Sequence, residues 1–292
     1  MENSNRHSHF ESPLRYPGGK GSLFPFISNL FYENDIVGIS YAEPYAGGAG
    51  LALKLLFNEY VNEIYINDLD YSIFCFWKTI LISNNRFCDW IENLEISIEN
   101  WKYFKYIQRN KDKFSEFEIA KSTFFLNRTN ISGVIKGGPI GGLKQNGKYK
   151  IDARFNKQDL IKRIQRIHKF RNRIRITNTD GIKFINRLNK LNKNIFVYID
   201  PPYVQKGADL YMNYYKKRDH YNLAKKVNTI NHKWLVSYDN NEFVLSLYKN
   251  HKKVLYRISQ SASNRIGNEV LIFSNGLTNN NSIKSLSMPI II

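Results

Sequence analysis

The chain has 292 residues, 42% of them hydrophobic and with 19 Phe and 19 Tyr, enough for one large domain or a core domain carrying a sizeable insertion. Its formal net charge of +18, from 43 Lys and Arg against 25 Asp and Glu, points to a polyanionic partner or a membrane surface. The second option recedes: no segment nears the roughly 20 apolar residues of a span, the start MENSNRHSHF is no signal peptide, and two cysteines make no disulfide scaffold. Nucleic acid as partner and a reducing cytoplasm are therefore the expectations.

In chain order, the first ten residues read as a loose tail, followed by a glycine turn, Tyr16-Pro17-Gly18-Gly19-Lys20, and a helical pattern from Ser22 to about Tyr32. A strand over 37–43 closes on Glu43-Pro44-Tyr45-Ala46-Gly47-Gly48-Ala49-Gly50, after which Leu51, Leu55 and Leu56 recur at helical spacing. A second strand, Glu63 to Asn67, ends in Asp68 and leads into an apolar helix from about Tyr71 to Ile82. Strand, glycine turn, helix, strand, acid is the order of a nucleotide-binding βαβ unit.

From about 85 to 168 the character changes. Trp90, Trp101, Tyr103, Phe104 and Tyr106 sit among Lys, Arg and Asn, residues 137–147 form a glycine-rich loop flexible enough to enter a groove, and 157–168 read as an amphipathic helix. Alternation then resumes with strands at 174–178, 195–199 and 233–238, helices between them, and two further strands at 253–258 and 269–273. The economical division is a catalytic α/β domain over 1–84 and 169–277, an insertion over 85–168, and a flexible polar tail over 278–292.

Three stretches carry chemistry. Glycines in the turn Glu43–Gly50 allow a ligand close to the backbone, but Glu43 would repel a phosphate there. A cationic or neutral ligand fits better, and S-adenosylmethionine, with its ammonium and sulfonium, is such a ligand. Asp68, at the next strand end, is placed to accept from ribose hydroxyls. In the first turn, Lys20 could pair with a cofactor carboxylate and Tyr16 pack against the cofactor.

The third stretch is Asp200-Pro201-Pro202-Tyr203, directly after the apolar run Ile195–Ile199. An exocyclic amine on a base is a poor nucleophile because its lone pair is delocalised into the ring. Asp200 and the carbonyl of Pro201, accepting both of its N–H groups, would favour a pyramidal nitrogen with its lone pair toward the methyl. Proline fixes the turn, and Tyr203 offers a ring on which a base swung out of a duplex can stack. Alignment at close range does the rest, with no metal and no covalent nucleophile. None of His7, His9, His168, His220, His232 and His251 shows a catalytic pairing.

Taken in this order and spacing, Tyr16–Lys20, Glu43–Gly50, Asp68 and Asp200–Tyr203 resemble the Dam-type (alpha group) N6-adenine DNA methyltransferases over nearly the whole chain. The resemblance implies a Rossmann-like S-adenosylmethionine-dependent methyltransferase fold with an inserted, mainly helical target-recognition domain. It implies cofactor contacts at Tyr16, Lys20, Asp68 and Asp200, with Glu43, Gly47 and Asp180 in support. Phe124-Phe125-Leu126-Asn127-Arg128 resembles the segment ahead of the family's DNA-contacting loop, which puts Arg128, Asn130, Ile131, Ser132 and Lys136 against DNA. Ser259 to Asn275, with Arg265 and Glu269, resembles its C-terminal hairpin. Where the Dam branch has Tyr-Gly-Tyr-Asn-Gly, this chain reads Thr129-Asn130-Ile131-Ser132-Gly133, so a site other than GATC is expected.

The implied reaction is methyl transfer to N6 of a flipped-out adenine in double-stranded DNA, by a monomer or weak dimer. Its setting would be a restriction–modification system with a cognate endonuclease, or an orphan or phage enzyme. Rival readings are an N6-adenine enzyme acting on RNA and a catalytically inactive DNA-binding relative. An N4-cytosine enzyme usually has Ser where Asp200 stands, and methylation of a protein amide would favour Asn there.

Overall fold

The computed structural model describes residues 11–16, 18–204, 215–260 and 265–292, with the backbone alone at 258–260 and 265–267. The expected N-terminal tail with His7 and His9, Pro17 of the first glycine turn, and the side chain of Arg265 lie outside the described residues.

Eight strands form one sheet: β1 (Ser40–Glu43), β2 (Glu63–Asn67), β3 (Ile174–Thr177), β4 (Ile195–Ile199), β5 (Lys233–Asp239), β6 (Lys253–Gln260), β7 (Arg265–Phe273) and β8 (Ser287–Ile291). Their order is β3-β2-β1-β4-β5-β7-β6-β8. The first five positions are parallel, and β7, β6 and β8 join antiparallel. Succession runs outward from β1 to β3 on one side and from β4 to β5 on the other. The reversal falls between β1 and β4, whose carboxyl ends carry Glu43 and Asp200; ligands bind at such a switch point in open α/β sheets.

Both faces of the sheet are covered. Phe196 and Tyr198 of β4 join the core beneath α1 (Phe24–Glu33), α2 (Gly50–Phe57) and α3 (Tyr71–Ile82). Ile195, Val197 and Ile199 turn to the opposite core, under α8 (Gly181–Leu188), α9 (Lys217–Val227) and α10 (Glu242–Leu247). A strand buried on both faces reads as an unbroken apolar run, as the stretch before Asp200 does.

The insertion folds as helices α4 (Asn84–Asn93), α5 (Ile98–Arg109), α6 (Glu116–Thr129) and α7 (Lys157–Lys169). A reciprocal Ser115–Glu118 capping box starts α6. Rather than standing apart, these helices share the core under α3: Phe76 stacks on Phe124 with ring centroids 5.6 Å apart, and Phe87, Phe104 and Phe155 close around them. The glycine-rich loop is likewise less free than its composition suggested. Gln145 donates to the carbonyls of Ile140 and Gly142 and accepts from Ile151 N–H, while Asn130 and Pro139 form a β-bridge.

The flexible tail expected over 278–292 is corrected by the structure. Residues Ser282–Ser285 make a 3-10 turn, and β8 adds to β6 with Val254 opposite Ile291 and Leu255 opposite Ile290. Without β8, β6 would leave a row of unpaired backbone groups at the sheet edge. The polar residues that suggested fraying are used as partners instead: Glu33 accepts from the N–H groups of Asn281 and Ser282, and Asn34 accepts from that of Thr278.

Candidate active site

The glycine turn after β1 is clamped on three sides. Gly47 N–H donates to Asp68 Oδ2 at 2.8 Å, Trp77 Nε1 donates to the Gly47 carbonyl at 2.9 Å, and the Tyr16 ring lies directly against the Gly47 α-carbon. A Cβ at Gly47 would stand 2.6 Å from Tyr16 Cε1, and φ there is +46°, so only glycine fits without strain. Asn67, buried at the end of β2, ties the region together by donating to the carbonyls of Pro44 and Thr179 and accepting from Thr177 Oγ1. It was not among the residues singled out from sequence; its place directly before Asp68 at a strand end was the available signal.

Asp68 also accepts from Asp70 N–H at 2.9 Å, and each of its oxygens keeps capacity for a second donor. Burial, with Asp70 adding to it, pushes its pKa up to about 7. Glu43 is buried and accepts from Tyr41 OH at 2.9 Å. Burial pushes Glu43 up to about 8; the Tyr41 hydrogen bond works against that rise and the nearby Asp200 adds to it. Asp180 caps α8, accepting from the N–H groups of Ile182 and Lys183, and Tyr45 packs so tightly on Gly181 that a Cβ there would meet its hydroxyl at 2.5 Å. These acids line the carboxyl ends of β1, β2 and β3 around one glycine turn. That suits a ligand with hydroxyls and positive charge, as S-adenosylmethionine is.

Across the switch point lies Asp200, whose side chain keeps 21% exposure while the Lys20 and Glu269 side chains beside it keep 4% and 2%. Ser237 Oγ donates to its Oδ1 at 2.7 Å, itself receiving from Tyr198 OH at 2.8 Å, and Lys20 Nζ stands 3.2 Å from its Oδ2. Burial raises the pKa of Asp200 and Lys20 opposes the rise. Sequence reading missed Ser237 and Tyr198. Two positions before Asp200 on an alternating strand, Tyr198 is on the same face, and that spacing could have found it.

Lys20, expected beside a cofactor carboxylate, is buried with the Asp-Pro-Pro-Tyr tetrapeptide: Nζ donates to the Gly18 carbonyl at 3.0 Å and to Tyr203 OH at 2.6 Å besides its ion pair with Asp200. Pro201 and Pro202 are buried, and the Tyr203 ring expected as a stacking face is only 5% exposed.

Among the expected DNA contacts, Ile131 and Lys136 are exposed, Ile131 at 60%, and Ser132 adopts φ +55° in the same turn. Asn130 is a correction: it is fully buried, accepting from Trp101 Nε1 at 2.7 Å and donating to the carbonyls of Val134 and Ile135. It shapes the turn from inside, where it cannot reach a groove. Arg128 donates through Nε and Nη2 to the Arg154 carbonyl, and burial followed by the cations Arg15 and Arg163 opposes its charge. Asn127, also missed as a structural link, bridges the two halves: it accepts from Arg15 N–H and donates to the carbonyls of Arg15 and Gly133. The turn at Gly133 is thereby fastened to the residue preceding Tyr16.

No described helix is long and apolar enough to cross a membrane. A comparison with curated proteins gave no match. Solved structures with a related outline include a candidate RNA methyltransferase from Pyrococcus horikoshii (11% identity, TM-score 0.41, 94% of this chain and 90% of that one). TrmK of M. capricolum, in complex with S-adenosyl-homocysteine, is 9% identical at TM-score 0.36, over 86% of this chain and 70% of its own. TrmN of Thermus thermophilus is 9% identical at TM-score 0.39, over 87% of this chain and 50% of its own. Likenesses this distant leave the fold to be read from the sheet itself. The family model of the D12 class N6 adenine-specific DNA methyltransferases matches residues 16–262, from the Tyr16 turn through the Asp200 tetrapeptide and into the C-terminal hairpin. With its glycine turn, its acids and its Asp-Pro-Pro-Tyr cluster gathered at one switch point, the chain belongs to that family of S-adenosylmethionine-dependent, adenine-specific methyltransferases.

Proposed function

We propose that the chain methylates N6 of a flipped-out adenine at specific sites in double-stranded DNA. The observation that carries this reading is the Asp200 cluster: one partly accessible carboxylate, held by Ser237 and Lys20, among groups that are themselves buried. S-adenosylmethionine supplies an electrophilic methyl group when bound. Gly47, Asp68, Glu43 and Tyr16 are the residues that would hold it, through backbone approach, acceptors for hydroxyls and, once Glu43 ionises, complementary charge.

Asp200 has one task, to accept from the amine N–H groups so that the nitrogen lone pair is released from the ring. Its anchored oxygens lose no reorganisation energy when the amine arrives. Lys20 favours the ionised carboxylate against the effect of burial, and the proton shed by nitrogen after transfer passes to Asp200 or to water. The charge of +18 supports a polyanionic substrate. Exposed Ile131 and Lys136 on one turn support a wedge and a phosphate contact, and Arg128, a partly buried cation among cations, would gain from a phosphate.

The test is transfer of tritiated methyl onto unmethylated duplex DNA and onto RNA in parallel, followed by mass spectrometry of the digested product. N6-methyladenine in the DNA is the expected outcome. Label confined to RNA would assign the same pocket to the other nucleic acid, and N4-methylcytosine would overturn the choice of base.

A further inference from the structure

Glu269 lies on β7 opposite Tyr256 of β6 and Asp239 of β5, with its side chain buried. It is a second carboxylate at Lys20, with Oε1 3.6 Å from Nζ. Both its oxygens are engaged: Tyr203 OH donates to Oε1 at 2.5 Å and Tyr256 OH to Oε2 at 2.6 Å. Since Tyr203 OH also accepts from Lys20 at 2.6 Å, that phenol oxygen is held from two sides, and the hydroxyl end of Tyr203 cannot be displaced without breaking one of the two contacts. Lys20, in turn, divides its charge between Asp200 and Glu269. We propose that Glu269 is a positioning residue for methyl transfer, anchoring the hydroxyl end of Tyr203 and, by sharing Lys20, leaving Asp200 a strong acceptor for the amine.

The charges around this pair decide the sign of a test. Asp200 is faced by Lys20 from the first turn, Glu43 and Tyr41 from β1, Tyr198 from β4, Ser237 and Tyr238 from β5, and Glu269 from β7. Glu269 is faced by Lys20, Tyr203, Tyr256 and Tyr198. Burial raises the pKa of Asp200, Lys20 lowers it and Glu269 raises it again. With Glu269 neutralised, Asp200 is the carboxylate left beside Lys20 among the described residues, and the Asp200 pKa must fall. The acid limb of kcat against pH then moves to lower pH, while the plateau drops because the acceptor is weaker and Tyr203 has lost its anchor.

This inference rests on the adenine methyltransferase reading and goes beyond it. The experiment compares wild type, E269Q and E269D on whichever of duplex DNA or RNA the wild type methylates. It measures kcat against pH, KM for nucleic acid, and S-adenosyl-homocysteine affinity by calorimetry. Expected for E269Q is a kcat lower by on the order of ten- to a hundredfold, a lowered acid limb, and KM and affinity within about threefold. E269D, charged but shorter, falls between. An active wild type with E269Q unchanged in kcat and limb overturns the proposal, as does an equal loss in E269Q and E269D with the limb in place. Should E269Q fail to fold, E269D with a wild-type kcat and limb overturns it. A wild type inert on both nucleic acids overturns the underlying reading, and this proposal with it.

Discussion

Gly47→Ala should destabilise the fold far more than Gly50→Ala, three residues along the same turn. At Gly47 a methyl would lie 2.6, 2.7 and 2.9 Å from Tyr16 Cε1, Cζ and Cδ1. Ordinary carbon contacts are about 3.5–4.0 Å, so the ring or the backbone must yield by about 1 Å. The backbone is held by Asp68 at its N–H and by Trp77 at its carbonyl, which leaves the ring to move. Overpacking costs about 1–3 kcal/mol, and a non-glycine residue at φ +46° costs roughly 1–2 kcal/mol more. The sum, about 2–5 kcal/mol, is a large share of a typical 5–15 kcal/mol of stability. At Gly50, the first residue of α2, nothing lies within 4 Å of the added methyl, and alanine there is neutral or stabilising by up to about 1 kcal/mol. Urea unfolding of both variants at unchanged slope measures the difference directly. Coincident midpoints would refute the argument from the clamped turn.

Because burial holds the folded Asp68 pKa near 7, above its ordinary 3.8, the folded state keeps a proton that the unfolded state has lost, and stability falls as pH rises from about 4 to 7. Cofactor binding uses the ionised form, so affinity should climb through pH 7; Asp68→Asn should erase that step and leave one near pH 8 set by Glu43, and a wild-type profile in calorimetry would disprove the assignment. Asn127→Ala strips three hydrogen bonds from the Arg15 and Gly133 backbones, an expected loss of about 2–4 kcal/mol in urea unfolding; a shift below about 0.5 kcal/mol would mean water replaces the bridge. Asp200→Ala should abolish turnover yet fold, since Lys20 retains Glu269 as counter-ion, and duplex affinity by fluorescence anisotropy should stay within a few-fold. Loss of duplex binding in that variant would move Asp200 from chemistry to recognition.

Motifs built on glycine and proline were legible because their constraints are local. Gly47 needs its positive φ whatever surrounds it, and Asp200-Pro201-Pro202-Tyr203 has to end a strand because proline cannot continue one. The apolar run before it announced a central parallel strand for the same reason, as did the period of α2 and α3. Misreadings came where polar residues had partners far away in sequence. Asn279, Asn281 and Ser282 looked like a frayed tail, yet Asn279 and Ser282 are buried, and Glu33 holds the N–H groups of Asn281 and Ser282 across nearly the whole chain. Asn130, placed against DNA by resemblance, turns inward to Trp101.

Sequence by itself determined the order of the elements, the glycine turn, the tetrapeptide and the net charge of +18, since each depends on residues within a few positions of one another or on a simple sum. Only the tertiary structure decided which groups surround Asp200. Lys20, Tyr203, Ser237, Tyr256 and Glu269 come from five separate stretches, and nothing in their local spacing specifies that they meet. The antiparallel return of β7 beside β5 brings Glu269 to Lys20, and the wide separation of the two in sequence conceals that pairing until the sheet has closed.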